Sequence, residues 1–268
     1  MKLLKGAQQS LIEGISNRQF VRLANSTSSL KGHRHRIAMN DNDSMITLSD
    51  GKNELNICRR DRLWLYKRGI DARLKQLNES YLLHRITGPL DGAFIDCGAN
   101  VGELGAYSRS RGLEYHAFEP EPLEADCCDL NNFGGRRETN RFGLWSSDGE
   151  LTFYSKPNTA DGSLFETDEY VDQFKIKVRS LDSFAAEAGI RKVAVLKIEA
   201  EGAEPEILAG AYETLKSTAY VTVDCGFEKG VNKESTLVPV FNILLDSGFE
   251  AIEWNPQRVT ALFKAKAR

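Results

Sequence analysis

Several common features are missing from this chain of 268 residues, and each absence excludes a class of protein. No apolar run approaches the roughly 18 residues of a membrane-spanning helix, so we expect no transmembrane segment. Gln8, Gln9 and Ser10 interrupt the apolar stretch near the start, which therefore does not predict a signal peptide.

The cysteines lack the spacing of a metal or disulfide site. They are five in number and contain no C-x-x-C pair, so they predict neither a disulfide framework nor a zinc site. We therefore expect a reducing, cytoplasmic environment. We also expect Cys97 to be a packed side chain rather than a nucleophile.

Charge is unevenly distributed along the chain. Residues 1–90 contain 16 Lys and Arg against 8 Asp and Glu, whereas residues 91–268 contain 19 against 30. This asymmetry indicates either an anionic partner or two segments with complementary surfaces, and the sequence favours neither. The basic segment lacks the interleaved aromatic residues of a nucleic-acid platform, so we expect no nucleic-acid partner.

Residues 1–90 are predicted to form an N-terminal extension. Apolar residues recur at near-helical spacing, which predicts an amphipathic helix; they are Leu3, Leu4, Leu11, Ile12, Ile15, Phe20 and Leu23. This helix is a candidate for lining a substrate groove, for a homo-oligomer contact or for lying on a membrane surface, although packing on its own domain is the default. A loop is expected at 25–29, a hairpin around Asp50-Gly51 and a helix over 70–86. His33 and His35 are expected to be solvated.

Residues 91–268 are predicted to form an α/β domain. Strand-like and helical stretches alternate, and the all-apolar run 193–198 is typical of a central parallel strand. We expect a hairpin from 142–145 and 151–154 and a helix over 205–216. The last two strands, 249–254 and 259–263, have no helix between them. The pattern predicts a doubly wound, Rossmann-like sheet that ends in an antiparallel hairpin.

The most informative stretch is 93–102, a buried strand that ends on Asp96 and continues into a glycine-rich turn. The turn contains Gly98, Asn100 and Gly102, and the next strand ends on Glu119. This order is typical of the adenosine-binding half of a doubly wound sheet. The second carboxylate can accept hydrogen bonds from two ribose hydroxyls. A tight strand-to-helix turn without a ligand is the alternative.

The glycine spacing argues against a dinucleotide. The fingerprint G-x-G-x-x-G is absent, and Asp96 would repel a pyrophosphate at the same turn. A carboxylate there suits a cationic ligand, and S-adenosylmethionine carries an amino group and a sulfonium. The sequence therefore favours S-adenosylmethionine over NAD.

Three ordered motifs, at 96–103, 117–120 and 196–204, resemble the FkbM family of S-adenosylmethionine-dependent methyltransferases. The third departs from the usual Lys-Ile-Asp-Val-Glu-Gly, because Glu199 and Ala200 replace Asp and Val. The resemblance implies a class I methyltransferase sheet over 91–268 and O-methylation of hydroxyls on sugars, glycans or secondary metabolites. It also implies that Gly98, Asn100 and Gly102 face the methionine end of the cofactor, Glu119 the ribose, and the loop containing Ser146 the adenine.

Methylation of a hydroxyl requires removal of its proton, so a carboxylate or histidine should lie near the acceptor. Glu199 and Glu201 follow the central strand at the edge where ligands bind in such sheets, and Lys197 would share their face if the strand continued. Asp224, at the tip of the next strand, is a further candidate. Helix capping is the alternative role for Glu201 and Glu204. His116 is expected to be packed, and we predict no metal site.

Three hypotheses remain open from the sequence. The first is an O-methyltransferase that acts on a hydroxylated small molecule or glycan. The second is an S-adenosylmethionine-binding module without catalysis, which the Glu199 departure permits. The third is a Rossmann oxidoreductase, which Asp96 and the glycine spacing disfavour.

Overall fold

The computed structural model describes residues 16–30, 36–39, 44–156, 162–167 and 170–267. The chain divides into two compact units, Met1–Arg73 and Leu74–Arg268. The domain boundary at residue 90 stays a prediction. The apolar residues 3–15 of the expected amphipathic helix lie outside the described residues, as do His33 and His35.

The first unit contains a helix and a small antiparallel sheet. Its elements are helix α1 (Asn17–Leu30), strands β1 (Arg36–Met39), β2 (Ile46–Ser49) and β3 (Glu54–Ile57), and a 3₁₀ helix (Arg60–Tyr66). The strands pair in the order β1-β2-β3. The predicted hairpin is confirmed, because β2 and β3 pair antiparallel around a turn in which the Asp50 carboxylate accepts a hydrogen bond from the Asn53 amide at 2.7 Å.

The predicted loop at 25–29 is wrong, because these residues belong to α1. The Asn25 side chain donates to the carbonyl of Ile37 and accepts from its amide, at 2.7 and 2.9 Å. The Ser26 hydroxyl donates back to the carbonyl of Arg22 at 3.0 Å. Asn and Ser favour loops because their side chains compete for backbone groups, and here those side chains have partners that leave the helix intact.

The remaining elements follow in chain order. They are α2 (Ile70–Ser80), a 3₁₀ turn (Leu83–Arg85), β4 (Ala93–Cys97), α3 (Gly105–Ser110), β5 (Glu114–Phe118), α4 (Pro122–Phe133), β6 (Gly143–Leu144), β7 (Gly149–Ser155), β8 (Asp172–Arg179), α5 (Leu181–Ala188), β9 (Val193–Ile198), α6 (Glu204–Ala209), α7 (Tyr212–Leu215), β10 (Thr218–Asp224), β11 (Phe227–Lys229), β12 (Glu234–Ser235), α8 (Leu237–Asp246), β13 (Phe249–Asn255) and β14 (Thr260–Ala265). None of the helices in the described part of the chain is both long and apolar enough to cross a membrane.

The main sheet has six strands in the order β13-β14-β10-β9-β4-β5. The pairs β10–β9, β9–β4 and β4–β5 are parallel, whereas β14 pairs antiparallel with both β10 and β13. The predicted doubly wound α/β fold with a terminal antiparallel hairpin is confirmed. The carboxyl ends of β4, β5, β9 and β10 meet at one edge of the sheet, and the candidate site lies there.

Successive residues of the central strands contribute to two hydrophobic clusters. In β4, Ile95 packs with residues of α5, α6 and α8, whereas Phe94 packs with Leu83, Leu104 and Leu262. Every residue of β9 is buried. Side chains alternate between the faces of a strand, so a run that is apolar throughout is buried on both sides.

The predicted helix over 70–86 ends early. α2 stops at Ser80, and Leu82 has a left-handed φ of 57°. The carbonyl of Tyr81 accepts a hydrogen bond from the Thr222 hydroxyl in β10 at 2.7 Å. The contact uses the carbonyl oxygen that would accept a hydrogen bond within a longer helix, so the helix ends before Tyr81.

The predicted hairpin between 142–145 and 151–154 is wrong. β8 lies between β6 and β7, parallel to β6 and antiparallel to β7. The loop that was expected to be a tight turn is instead tied to the start of α5. Its Asp148 carboxylate accepts hydrogen bonds from the Ser180 amide at 2.8 Å and the Ser183 hydroxyl at 2.7 Å.

The predicted helix over 205–216 is two short helices, α6 and α7, separated at Gly210. The backbone of Gly210 lies so close to Trp145 that a Cβ would be 2.1 Å from the Trp145 carbonyl oxygen. The Asp182 carboxylate then accepts from the amides of Glu213 and Thr214, at 2.9 and 2.7 Å. This cap starts a new helix, which periodicity alone cannot indicate.

Candidate functional site

The turn after β4 adopts the backbone that its glycines predict. Gly98, Asn100 and Gly102 have φ values of 71°, 51° and 78°. The amides of Gly98 and Ala99 both donate to the carbonyl of Phe118 at the end of β5, each at 3.0 Å. The turn is therefore fixed between the ends of two parallel strands.

The two glycines of the turn have different neighbours. A Cβ on Gly98 would lie 2.0 Å from the carbonyl oxygen of Glu199, the residue after β9. A Cβ on Gly102 would lie 2.2 Å from the side-chain nitrogen of Asn132 in α4. Asn132 also donates to the carbonyl of Gly102 at 3.0 Å. Both positions thus require glycine for close protein packing, whatever ligand the turn holds.

Glu119 closes the open side of this turn. Its Oε2 accepts a hydrogen bond from the Asn100 amide and its Oε1 accepts one from the Glu121 amide, both at 2.9 Å. The residue is 7% exposed, and burial together with the nearby Glu124 carboxylate raises its pKa to about 8. Each oxygen retains a lone pair, so the carboxyl group can still accept from hydroxyls of a ligand.

Asp96 is buried and neutralised by Lys197. Its Oδ1 lies 3.0 Å from Nζ of Lys197, its Oδ2 accepts from the Tyr115 hydroxyl at 2.8 Å, and the residue is 1% exposed. A cationic ligand was expected because a solvent-exposed, unpaired carboxylate would attract it. Because Lys197 already balances the charge, Asp96 no longer distinguishes S-adenosylmethionine from NAD.

Lys197 holds the glycine turn in place. Its Nζ donates to the carbonyls of Cys97 and Gly98, at 2.9 and 2.7 Å. Burial alone would lower the pKa of Lys197, but Asp96 and Glu199 raise it above its usual value. Its Nζ also lies 3.5 Å from Oε2 of Glu199, so its positive charge favours the ionised form of that carboxyl group.

Glu199 lies at the centre of a hydrogen-bonded network. It accepts from the Tyr81 hydroxyl and from Nη2 of Arg258, and Nη2 also donates to the Tyr81 oxygen at 3.0 Å. Nε of Arg258 donates to Oδ2 of Asp224 at 3.1 Å. Two predicted candidates, Glu199 and Asp224, are thus brought together by a residue that the sequence did not indicate.

The network separates the protonation behaviour of its two carboxylates. Burial alone would raise the pKa of Glu199, but the charges of Lys197 and Arg258 lower it to about 2. Burial and the Glu199 carboxylate raise the pKa of Asp224 to about 6. A carboxylate with a pKa near 2 is a weak proton acceptor, so Glu199 suits the role of a fixed anion.

The turn after β9 contains the other predicted glutamates. Glu204 caps this turn, because its Oε1 accepts from the amides of Ala200 and Gly202 at 2.9 and 3.2 Å. Glu201 has a left-handed φ of 49° and is partly buried, and its carbonyl accepts from the Ser163 hydroxyl at 2.9 Å. Glu204 therefore stabilises the turn that precedes α6, and its carboxylate does not form the predicted helix cap.

The sequence profile described as "Methyltransferase FkbM domain" matches residues 96–251, which is more than half of the chain. The chain belongs to the FkbM methyltransferase family. The match begins at Asp96 and includes the glycine turn, Glu119, the turn after β9 and Asp224. Membership in this family implies that the chain uses a methyl donor.

Two curated proteins are similar to this FkbM chain. The hexuronic acid methyltransferase AglP of Haloferax volcanii is 30% identical over 136 residues, which cover 50% of this chain and 56% of AglP. The 2-O-methyltransferase NoeI of Sinorhizobium fredii is 22% identical over 228 residues, which cover 78% of this chain and 93% of NoeI. The aligned part of the chain thus spans just over half the length of AglP.

A solved FkbM methyltransferase from Methylobacillus flagellatus KT is also similar to the chain. The identity is 18%, the TM-score is 0.44, and the match covers 67% of this chain and 44% of the other.

Some residues of this FkbM site could not be found from motifs. Tyr81 and Arg258 lie outside residues 96–251, on either side of the region that the profile matches. Arg258 reaches Asp224 because the terminal hairpin folds β14 against β10. In the sequence, the predicted terminal hairpin indicates that the turn between 255 and 260 lies near the carboxyl end of β10.

Ser146 stays a predicted adenine contact. The side chain is exposed, and its Cα lies 3.0 Å from the position of a Cβ on Gly210. Within the described part of the chain, no hydrogen bond joins Ser146 to Glu119 or to the glycine turn.

His116 is partly buried, and its ring pairs with the Glu114 carboxylate at 3.1 Å. Cys97 is buried, and this burial raises the pKa of its thiol.

Because of Glu199, the free energy of unfolding of the FkbM domain should fall at low pH. Its pKa is about 2 in the folded chain and about 4.5 when unperturbed, so the unfolded chain binds the proton first. The stabilisation is present above pH 4.5 and is lost as the pH falls through 2. Since one pKa unit corresponds to about 1.4 kcal/mol, the wild type should lose about 2 kcal/mol more than Glu199→Gln between pH 5 and pH 3.

Urea unfolding at pH 5, 4 and 3 measures this difference. Glu213→Gln is the matched control, because Glu213 is an exposed glutamate paired with Lys216. It should follow the wild type at every pH. Equal pH dependence in the wild type and Glu199→Gln would show that the network does not stabilise the ionised carboxylate.

Proposed function

We propose that this chain transfers a methyl group from S-adenosylmethionine to a hydroxyl oxygen of a sugar or related glycan. The observation that carries the proposal is Glu119, a buried carboxyl group held by two backbone amides at the open side of the glycine turn. Two adjacent hydroxyl donors are the partners that such a carboxyl group fits, and a ribose presents them.

The residues present fit the cofactor. The neighbouring strands and Lys197 hold the backbone of the turn at 98–102 rigid, which suits the methionine end of the ligand. When bound, S-adenosylmethionine supplies an activated methyl group on sulfur. The chain's own residues then bind the ribose through Glu119, orient the acceptor near Asp224 and Glu199, and remove the hydroxyl proton.

The nature of the acceptor is supported by the names of the two relatives. AglP acts on hexuronic acid and NoeI is a 2-O-methyltransferase. Both names fit a hydroxyl acceptor. Among the residues that the structure describes, no group of three or more His, Cys, Asp or Glu side chains is arranged to hold a metal ion.

The cellular environment and the oligomeric state of the protein are also proposed. All five cysteines are free thiols, which supports a reducing, cytoplasmic environment. A homo-oligomer contact through the N-terminal helix stays a prediction, since residues 3–15 lie outside the described part.

Replacing Glu119 by glutamine should weaken S-adenosylmethionine binding. The substitution keeps the size of the side chain but replaces one acceptor oxygen by a donor, which conflicts with a ribose hydroxyl. Leaving a buried donor or acceptor without its partner costs about 1–3 kcal/mol, so we expect Kd to rise about 5- to 150-fold. Isothermal titration calorimetry with S-adenosylmethionine and S-adenosylhomocysteine measures the change.

The control is Glu121→Gln, which makes the same substitution two residues away and should leave Kd within about twofold. NAD is titrated in parallel, and NAD binding without S-adenosylmethionine binding would overturn the cofactor assignment in favour of an oxidoreductase. Transfer of radiolabelled methyl groups to methyl hexopyranosides and methyl hexuronides then separates an enzyme from a binding module. Cofactor binding without transfer to any sugar would contradict the proposed acceptor class.

A further inference from the structure

β11 lies at the edge of the sheet where the candidate site is built. It begins at Phe227, three residues after Asp224, and pairs antiparallel with β12. The turn after β9 packs against it, because a Cβ on Gly202 would lie 2.5 Å from Cα of Lys229. Gly202 has a φ of 101°, so glycine is required there both for conformation and for this approach. The position of β11 relative to Glu199 is thus fixed by backbone packing.

The carboxyl groups at this edge differ in how their oxygens are occupied. Three donors engage Glu199, the Arg258 guanidinium and the Gly226 amide engage Asp224, and two backbone amides engage Glu204. Glu228, in β11, accepts no hydrogen bond from the described residues, and it is only partly buried. Of these four groups, Glu228 therefore has the carboxyl oxygens most available to an acceptor hydroxyl.

Gly226 makes space for the Glu228 carboxyl group. A Cβ on Gly226 would lie 2.9 Å from Oε1, 3.0 Å from Cδ and 3.3 Å from Oε2 of Glu228. All three carboxyl atoms thus fold back over the Cα of Gly226, next to Asp224. The φ of Gly226 is not in the left-handed region, so the missing side chain matters here for space alone.

The charged groups around Glu228 favour a proton acceptor at neutral pH. The groups that act on it are Asp224, Glu204, Glu199 and Arg258. The neighbouring Lys229 is paired with Glu206 at 2.5 Å. Burial and the carboxylates of Asp224, Glu204 and Glu199 raise the pKa of Glu228 to about 8. A general base works best when its pKa lies near the working pH, and this pKa does whereas that of Glu199 does not.

We propose that Glu228 is the residue that accepts the proton of the sugar hydroxyl. The inference rests on the proposed function. Glu228 takes the proton as the hydroxyl oxygen forms a bond to the methyl carbon. The electrons of the broken carbon–sulfur bond go to sulfur, which leaves S-adenosylhomocysteine, the methyl ether and a protonated Glu228. Glu228 then releases the proton to water.

Glu228→Gln tests the proposal, with Glu234→Gln as the matched control. Glu234 is an exposed glutamate of the same hairpin, paired in register with Lys229. With labelled S-adenosylmethionine and the methyl pyranoside that the wild type accepts, kcat of Glu228→Gln should fall about 100-fold or more. Its S-adenosylhomocysteine Kd should stay within twofold. Glu234→Gln should resemble the wild type in both measurements.

The pH dependence separates proton transfer from a structural effect. The wild-type kcat should rise with pH through about 8 and then level, because the ionised form is the active one, and Glu228→Gln should lack this rise. Carbon-13 NMR of carboxyl-labelled protein supplies a readout without turnover, with a titration midpoint near 8 that is absent in Glu228→Gln. A kcat within threefold of the wild type, a persistent rise or a midpoint below 6 would overturn the assignment.

Gly226→Ala tests the position of the group without removing it. The new Cβ must displace the Glu228 carboxyl, so kcat should fall about 10- to 100-fold while cofactor affinity stays unchanged. An unchanged kcat would contradict the proposed position. Absence of methyl transfer by the wild type would refute the proposed function itself, whereas an active wild type with an active Glu228→Gln would refute only this inference.

Discussion

Replacing Lys197 by methionine should lower the free energy of unfolding by about 3–5 kcal/mol, the largest stability effect that we expect from a side chain of the site. Lys197 is 2% exposed, and its ammonium lies 3.0 Å from Asp96. Methionine fills a similar volume but leaves the Asp96 charge buried without a counter-ion. Removing one partner of a buried pair is strongly destabilising for this reason.

The substitution also releases the glycine turn. The carbonyls of Cys97 and Gly98 lose the donor that holds them, at the end of β4 where the cofactor is proposed to bind. Binding of S-adenosylhomocysteine should therefore weaken even at temperatures where Lys197→Met remains folded. Urea unfolding followed by calorimetry separates the loss of stability from the loss of affinity.

Two variants control for this result. Lys192→Met removes an exposed ion pair with Asp91, and such pairs contribute little to stability because solvent screens the two charges. The double variant Asp96→Asn with Lys197→Met removes both charges and should recover part of the stability. A cost below 1 kcal/mol for Lys197→Met would show that the buried pair is not what holds the turn.

The sheet could be predicted because its information is local. The run Val193–Ile198 is apolar throughout, and burial on both faces follows from that composition. The terminal hairpin was predicted from two strand-like runs separated by a short turn. Each element carries its own signature, and the alternation of strands and helices fixes the class of fold.

The errors arose where side chains from other elements decide the backbone. Asn25 remains helical because its side chain donates a hydrogen bond to the backbone of Ile37. The helix before Tyr81 ends because the carbonyl of Tyr81 accepts a hydrogen bond from Thr222. β8 separates β6 from β7, although the two are adjacent in the sequence. Each of these features depends on a contact between residues 12 or more positions apart, and local propensity has no access to such contacts.

The residues of the site also divide into those that local sequence could predict and those that it could not. Glu119 and the glycine turn were predicted, since strand ends in a doubly wound sheet meet at one edge. The pairing of Asp96 with Lys197 was not, because charge in a sequence does not show burial. Arg258 and Glu228 carry no motif, and only the folded hairpins bring them to the edge where Glu199 and Asp224 lie.

Replacing Gly98 by alanine should cost about 2–5 kcal/mol and abolish detectable cofactor binding. Two effects combine at this position. The φ of 71° lies in the left-handed region, which costs a residue with a Cβ about 1–2 kcal/mol. In addition, the Cβ would lie 2.0 Å from the carbonyl oxygen of Glu199, and overpacking of this kind costs about 1–3 kcal/mol.

The strained contact cannot relax easily. Glu199 is held next to the turn because its amide donates to the carbonyl of Cys97 at 3.2 Å, and β4 and β9 are paired along their length. Relief therefore requires separation of the two central strands or a change of the turn itself. Either movement displaces the backbone that Glu119 positions through the Asn100 amide.

Gly112→Ala is a matched control for Gly98→Ala, because the two glycines share the same conformation but not the same surroundings. Gly112 has a φ of 68°, and a Cβ there would meet no atom within 4 Å. This variant should lose only the conformational cost and retain wild-type affinity for S-adenosylhomocysteine. Urea unfolding and calorimetry on the two variants isolate the contribution of the contact with Glu199. Equal destabilisation within about 0.5 kcal/mol would mean that the close approach of β4 and β9 does not shape the turn, and intact binding by Gly98→Ala would place the cofactor elsewhere.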